Sequence, residues 1–316
     1  MKNLSFYKIE IEPDKNKRID QLIASELPEY SRSRIKNWIN RKDITINGKP
    51  CSPKDKILKK SVIEIRILEN EELDIQPEKI NLNISYEDKD ILVINKNPGM
   101  VTHTAPGHYL GTLQNALLYH YPNLKNVPRA GIIHRLDKNT SGLIIIARNL
   151  IAHNSLVSQM KEKMIIKKYT ALVTGIVTRN QIIRKKVGRH RVNRLKMSVT
   201  DSGKEAISKI IVLEKFKKSS LLDIELVTGR THQIRVHLSS IGHPIIGDDL
   251  YGFKKSAHNH DKNLVNFLNS YHYHALHAKY LCFNHPITKK KIIINSETPK
   301  SFVTIKSLLI KNYAKS

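Results

Sequence analysis

Two cysteines in 316 residues, Cys51 and Cys282, lie far apart and in no Cys-x-x-Cys pair, which argues against a disulfide framework and a zinc ribbon and points to a reducing compartment. Apolar runs of about 18 residues, the length a membrane span needs, are missing. Residues 1–15 alternate apolar and charged side chains where a secretory leader would carry an apolar core. The protein is therefore expected to be soluble and cytoplasmic. Acidic residues are also scarce: 28 Asp and Glu stand against 54 Lys and Arg, a formal charge of +26. Lys, Ile and Asn are heavily used throughout, yet a surplus of this size still points to a polyanionic partner, nucleic acid first. There is no Walker loop, no dinucleotide fingerprint and no pair of carboxylates of the glycosidase type.

What is present suggests two domains. Ile19, Leu22, Ile23 and Leu27 repeat at helical spacing. A second helix is expected to open at Ser31, a good N-cap, turning Ile35, Trp38 and Ile39 inward and leaving Arg32, Arg34, Lys36, Arg41 and Lys42 on its other faces. A strand and an Asn-Gly turn follow at 44–48, and Val62, Ile63, Ile65 and Ile67 suggest a closing strand. This pattern resembles the S4 RNA-binding domain, so the basic helix is read as an RNA contact in preference to a merely solvated face. The acidic stretch at 69–74 with Pro77 reads as a linker. The expected division is 1–75 for the S4-like domain and 76–316 for a larger catalytic domain. In that second part, strand-like runs at 90–95, 142–147, 168–173 and 221–227 alternate with helical stretches at 113–119 and 150–161. They predict an α+β domain with a mixed, mainly antiparallel sheet flanked by helices.

One stretch carries the chemistry. His134-Arg135-Leu136-Asp137 lies between Gly131 and Gly142 and leads into a strongly apolar strand. A loop so anchored holds a carboxylate rigidly, as a nucleophile requires. Alone the tetrapeptide means little, because an Arg and an Asp two apart are usually a surface pair. Followed by Thr140-Ser141-Gly142-Leu143, however, it resembles the signature of the RluA family of pseudouridine synthases. Lys168-Tyr169-Thr170-Ala171 looks like the second motif of that family, and the stretch from Thr228-Gly229-Arg230 to Arg235-Val236-His237 like the third; Gly242-His243-Pro244 to Gly247-Asp248 and Leu276-His277-Ala278 complete the series.

The resemblance implies an S4-like domain followed by a pseudouridine synthase catalytic domain, with Asp137 as nucleophile. It also implies Tyr169 stacked on the target uracil, Arg235 paired with the carboxylate, and Arg135 filling the gap left by the flipped base. Three stretches, Tyr30 to Lys36, Val127-Pro128-Arg129-Ala130-Gly131 and 228–237, are most similar to a subgroup that modifies uridines in the loop of helix sixty-nine of large-subunit ribosomal RNA. The implied partner is that RNA, free or in an assembling subunit, bound by a monomer. Breaking N1–C1′, turning the uracil and joining C5 to C1′ needs no redox change or hydrolysis, so no cofactor and no metal are implied. One departure stands out: the usual Asn-Lys-Pro-x-Gly is here Asn95-Lys96-Asn97-Pro98-Gly99, with Thr104 rather than Pro after His103.

The residues suit these roles on physical grounds. Read as a strand, 231–238 would place Ile234, Val236 and Leu238 on one face and Gln233, Arg235 and His237 on the other, lining a site. A guanidinium facing a carboxylate keeps it ionised and fixes its direction. Base–aromatic stacking on Tyr169, worth about 1–3 kcal/mol, offsets part of the cost of flipping a base. Two rivals compete with the synthase reading. A non-catalytic RNA-binding protein would leave 80–316 unexplained, and a metal hydrolase built on His272, His274, His277 and His285 lacks an acidic residue at a sensible spacing.

Overall fold

The computed structural model describes residues 4–14, 16–27, 30, 32–68, 75–105, 107–254 and 262–313. The expected linker at 69–74 and the expected N-cap Ser31 lie outside them. The chain divides into two compact units, Met1–Asp74 and Ile75–Ser316.

In the first unit, β1 (Leu4–Ile11), α1 (Ile19–Glu26), α2 (Arg32–Asn40), β2 (Ile44–Ile46), β3 (Lys49–Pro50) and β4 (Ser61–Leu68) follow in order. The strands form one antiparallel sheet ordered β1-β4-β2-β3. The alternation near the N-terminus is thus a strand, paired with β4 along its whole length. Ile19, Leu22 and Ile23 of α1 and Ile35, Trp38 and Ile39 of α2 are buried with Ile44, Ile63 and Ile65, as the helical spacing requires. Lys36, Arg41 and Lys42 are exposed. Two arginines of this stretch are already paired: Arg32 at 3.0 Å with the buried Asp20, and Arg41 at 3.1 Å with Asp43.

The second unit is built on a nine-stranded sheet. Its strands are β5 (Ile84–Glu87), β6 (Ile91–Lys96), β7 (Ser141–Ala147), β8 (Ile166–Thr174), β9 (Gln181–Arg184), β12 (Ile207–Lys215), β13 (Ser219–Leu226), β14 (Leu276–Asn284) and β15 (Lys291–Asn295). The order is β5-β6-β7-β14-β8-β13-β12-β9, with β15 also on β14. Only the β7–β14 pair is parallel, so the sheet is mixed and mainly antiparallel. A small hairpin, β10 (Val187–Arg189) with β11 (Met197–Val199), stands apart.

Every residue of β7 is buried, because both sheet faces are covered. Ile144 and Ile146 pack with Leu113 and Leu117 of α3 (Leu113–His120) on one side. Leu143, Ile145 and Ala147 pack with Ala152 and Leu156 of α4 (Leu150–Lys161) on the other. At about 1.5–3 kcal/mol for each fully buried aliphatic side chain, this strand is the firmest platform near the His134–Asp137 stretch. The remaining helices are α5 (Gln233–Ser239), α6 (Lys262–Ser270) and α7 (Lys300–Tyr313). Among the described residues no helix is long and apolar enough to cross a membrane.

Candidate active site

The loop before β7 is held around Asp137 by hydrogen bonds to the backbone oxygens of Leu136, Asp137 and Lys138. It begins with a left-handed run, Arg129, Ala130 and Gly131 at φ 55°, 51° and 77°, conformations that side-chain-bearing residues adopt only when the surroundings impose them. At Gly131 a Cβ would run into the Ala147 carbonyl, and at Gly142 (φ 114°) into the Ala278 backbone across the parallel pair. Both glycines that bracket the loop are therefore obligatory. Between them, Thr102 Oγ1 donates to Leu136 O at 2.7 Å, the Lys96 ammonium to the carbonyls of Asn97, Met100 and Lys138 at 2.9, 3.0 and 3.2 Å, and Gly99 N to Lys138 O at 2.8 Å. Burial pushes the Lys96 ammonium down to about 7 while Asp137 pulls it back up; three carbonyls, which can only accept, call for its charged form. His134 takes the Ile145 N–H on Nε2 at 3.0 Å, and Thr140 Oγ1 pairs with His274 Nε2 at 2.7 Å. Burial holds His134 at about 3 and His274 at about 4, so both are neutral props at physiological pH. The Asn97 departure leaves the Lys96 cage intact, since that cage uses only backbone oxygens. Thr104 donates both N–H and hydroxyl to Gln114 Oε1, each at 3.2 Å, and the first of these bonds is one a proline has no hydrogen to make.

Asp137 stands in this cage with its side chain 16% exposed, enough to be reached. Its Oδ2 accepts from Arg235 Nη1 at 3.0 Å. Arg235 is also clamped in two-pronged fashion by Asp248, Nε to Oδ2 at 2.7 Å and Nη2 to Oδ1 at 2.9 Å, and lies 4.7 Å over the Tyr251 ring. Burial by itself would raise the Asp137 carboxyl; His232, Arg235 and His274 more than offset it and hold the group below the usual carboxylate range. Of these, Arg235 carries its charge at neutral pH, and its own pKa is raised by the two carboxylates against the opposing effect of burial. Tyr169, on β8, is 5% exposed. Burial and the Asp137 charge both raise its phenol, so it stays protonated beside the carboxylate. Arg135 lies two residues from Asp137 with an exposed side chain.

The structure therefore brings Asp137 and Arg235 into direct contact, sets Tyr169 within the field of Asp137, and leaves Arg135 at the open edge. One expectation is overturned. Residues 231–238 do not form a strand; Gln233–Ser239 is the helix α5. Its residues from Gln233 to Leu238 are all buried, so neither face shows a polar stripe, and β-branched Thr, Ile and Val imitate a strand. The consequence is geometric: Gln233 and His237, four apart, share one helix face and both bond Ser208 (3.1 and 3.0 Å), while Arg235 turns away from them to the two carboxylates.

The histidines once entertained as metal ligands are dispersed. His274 serves Thr140, His277 bridges Ser141 and Ser296 at 2.9 and 2.8 Å, and His285 meets Asp88 at 3.0 Å with Asp90 at 3.9 Å. Contrary to the sequence reading, His285 does gain acidic neighbours. Its Nδ1 accepts the backbone N–H groups of Ile287 and Thr288 at 3.1 and 3.0 Å, which leaves the proton on Nε2, pointing at Asp88. A nitrogen in that state offers no lone pair to a cation, so the trio fits a hydrogen-bonded clamp.

His232, Asp248 and Tyr251 were given no role by sequence. The first two lay inside recognised motifs, but their distance in the chain from Asp137 hid the contact; Tyr251 carried no signal. Comparison with known proteins identifies the family. Residues 90–240 match the RNA pseudouridylate synthase family and residues 17–63 the S4 domain. "Ribosomal large subunit pseudouridine synthase D" of Pseudomonas aeruginosa is 42% identical over 293 residues, 92% of either chain. "Uncharacterized RNA pseudouridine synthase YlyB" of Bacillus subtilis is 39% identical over 305 residues, 95% of this chain and 97% of that one. Among solved structures, Human RNA Pseudouridylate Synthase Domain Containing 1 superposes with a TM-score of 0.57 at 28% identity, covering 73% of this chain and 89% of that one. An S4 module, a mixed sheet carrying a caged carboxylate, and relatives that match nearly end to end lead to one assignment: the chain belongs to the RluA family of RNA pseudouridine synthases.

Proposed function

We propose that this enzyme converts uridines of large-subunit ribosomal RNA to pseudouridine, in the loop of helix sixty-nine, with Asp137 as the nucleophile. The observation that carries the chemistry is the asymmetry of the Asp137 carboxylate. Oδ2 is fixed by Arg235 at 3.0 Å, whereas among the described residues Oδ1 has no partner nearer than His232 Nε2 at 3.8 Å. One oxygen is thus aimed while the other keeps free lone pairs, the arrangement a carboxylate nucleophile requires. In this reading the flipped uracil rests on Tyr169, and Arg135 enters the stack the base has left. Unstacking costs a few kcal/mol, and a stacking floor worth about 1–3 kcal/mol recovers part of it. The N1–C1′ bond breaks, the ring turns in place and C5 bonds to C1′; the C5 proton is then lost to solvent and N1 takes one up, without a cofactor or a metal. The RNA assignment rests on relatives named for the large subunit at 39–42% identity and on the basic surplus of the chain. The exposed Lys36 and Lys42 of the first unit supply phosphate contacts that position without reading sequence.

A pseudouridine map of ribosomal RNA from cells with and without the gene tests this. The expected result is loss of pseudouridine from the loop of helix sixty-nine, restored by the wild-type gene and not by Asp137→Ala. An unchanged large-subunit map would overturn the substrate assignment.

A further inference from the structure

His232 has no part in the scheme above, yet its backbone, its ring and its Nδ1 are each held in place. It sits at the N-terminus of α5 with φ 56° and ψ 19°, a left-handed conformation that a histidine keeps only when neighbouring contacts hold it there. Its ring packs edge-on to Tyr251 with centroids 5.6 Å apart and planes at 82°, and its Nδ1 lies 2.7 Å from Tyr251 Oη. That phenol oxygen already accepts the Met197 backbone N–H at 2.8 Å. A tyrosine hydroxyl has one proton to give, and burial raises the Tyr251 phenol, so the proton stays on it. The described residues offer that proton one acceptor, His232 Nδ1. The ring's own hydrogen must then be on Nε2, the nitrogen that faces Asp137 Oδ1 from 3.8 Å.

That separation exceeds a hydrogen bond by about 0.6–0.9 Å on the usual N–H···O scale. The Nε2–H therefore does not tie up the free oxygen of Asp137 and stays available, beside it, to a bound nucleotide. The charged groups around the ring are Asp137 and Arg135 from the catalytic loop, Arg235 from α5 and Asp248. Burial, acting first, and the two arginines outweigh the two carboxylates and lower the imidazole below its ordinary value, so it is uncharged at neutral pH and cannot form a rival ion pair with Asp137.

We infer that His232 is a catalytic hydrogen-bond donor: Tyr251 fixes its tautomer so that Nε2–H is presented to the oxygen of the uridine on which negative charge gathers as the carboxylate attacks. Whether the attacked atom is C1′ or C6, the uracil ring carries that charge, and an oriented donor is worth most when it is already in place as charge develops. No proton is transferred in this role, and the donor remains histidine throughout. The inference rests on the assignment of Asp137 as nucleophile.

Three variants and one spectrum test it, all in the full-length enzyme with unmodified large-subunit rRNA. His232→Phe keeps an aromatic ring against Tyr251 but no donor; its single-turnover rate should fall about 100-fold, the usual effect of removing one such donor, with RNA affinity within a few-fold of wild type. His232→Gln, whose amide N–H reaches near the same point, should recover part of the rate. In Tyr251→Phe the hydroxyl that selects the tautomer is gone, so 15N spectra of the histidine ring, which in the wild type should show the proton on Nε2, should show a tautomer mixture and a lower rate. A wild-type rate in His232→Phe, or Nδ1 carrying the proton in the wild type, would overturn the inference. The nucleophile assignment fails separately, through activity in Asp137→Ala, and the spectrum reads the tautomer whatever the activity.

Discussion

Asp248 is the residue whose removal should separate holding the site from ionising it. It is 2% exposed and takes two of the five Arg235 donor hydrogens, at 2.7 and 2.9 Å, while Asp137 takes one at 3.0 Å. In Asp248→Asn one oxygen can still accept, but the amide NH2 faces a guanidinium that also only donates. One charge-assisted bond, worth about 1.5–3 kcal/mol, is lost, and Arg235 is left partly unpaired in a buried place. Breaking a buried pair from one side costs about 3–5 kcal/mol, so about 3 kcal/mol is a fair expectation. For a unit of this size each kcal/mol moves Tm by about 2–4 °C, giving a fall of about 6–12 °C. Ionisation of Asp137 moves the opposite way: Arg235 would face that carboxylate alone, which favours its charged form further. The rate should nonetheless fall about 100-fold, because a guanidinium held by one partner lets the carboxylate drift by a fraction of an ångström. Thermal melting by circular dichroism and single-turnover tritium release at neutral and alkaline pH read both effects. A Tm within about 2 °C of wild type, or a rate restored by raising the pH, would refute the reasoning.

Lys96→Met should remove the donor to the carbonyls of Asn97, Met100 and Lys138, of which only Lys138 O keeps another in Gly99 N–H; at about 1–3 kcal/mol for each of the two left bare, Tm should fall by at least about 4 °C, and an unchanged melting curve would show the cage to be dispensable. The Asp137 carboxyl lies below its ordinary range in the folded enzyme, so its contribution is present above the unfolded value and is lost only as pH falls through the folded one. The rate should therefore show no acid limb from this group between about pH 5 and 8, which a pH–rate profile checks. Gly142→Ala adds a Cβ against the Ala278 backbone at φ 114° and should unfold the catalytic unit at physiological temperature, seen as loss of the cooperative melt. Removing residues 1–75 should weaken rRNA binding and increase modification at wrong sites more than it slows chemistry, measured by filter binding and a pseudouridine map.

Where a segment is amphipathic, or a short unbroken apolar run, its structure was legible beforehand. Helix α4 spans 150–161 as read, since Asn149 caps it and Ala152 and Leu156 are spaced for one face, and β7 follows from an unbroken apolar run. Legibility failed at α5, because burial all round erases the stripe that tells helix from strand. It failed at β1 for a different reason: charged alternation with one side toward a small core looks like solvated chain until β4 supplies its partner. The site divides in the same way. Asp137, Arg235, Tyr169 and Arg135 are candidates that motifs single out, whereas Asp248 and His232 join them only through contacts 13 and 95 residues apart in sequence, Arg235 to Asp248 and His232 to Asp137. No local pattern encodes such contacts; the left-handed backbone at His232 and the turn carrying Tyr251 create them.

The central claim is that the Asp137 carboxylate performs the reaction. Tritium release from C5-labelled uridine in unmodified large-subunit rRNA, with wild type, Asp137→Ala and Asp137→Asn, tests it most directly. Release by the wild type and none by either variant is the predicted result, with Asp137→Asn still binding the RNA because the amide keeps the shape of the group. Turnover by Asp137→Asn at a rate near that of the wild type would contradict the account.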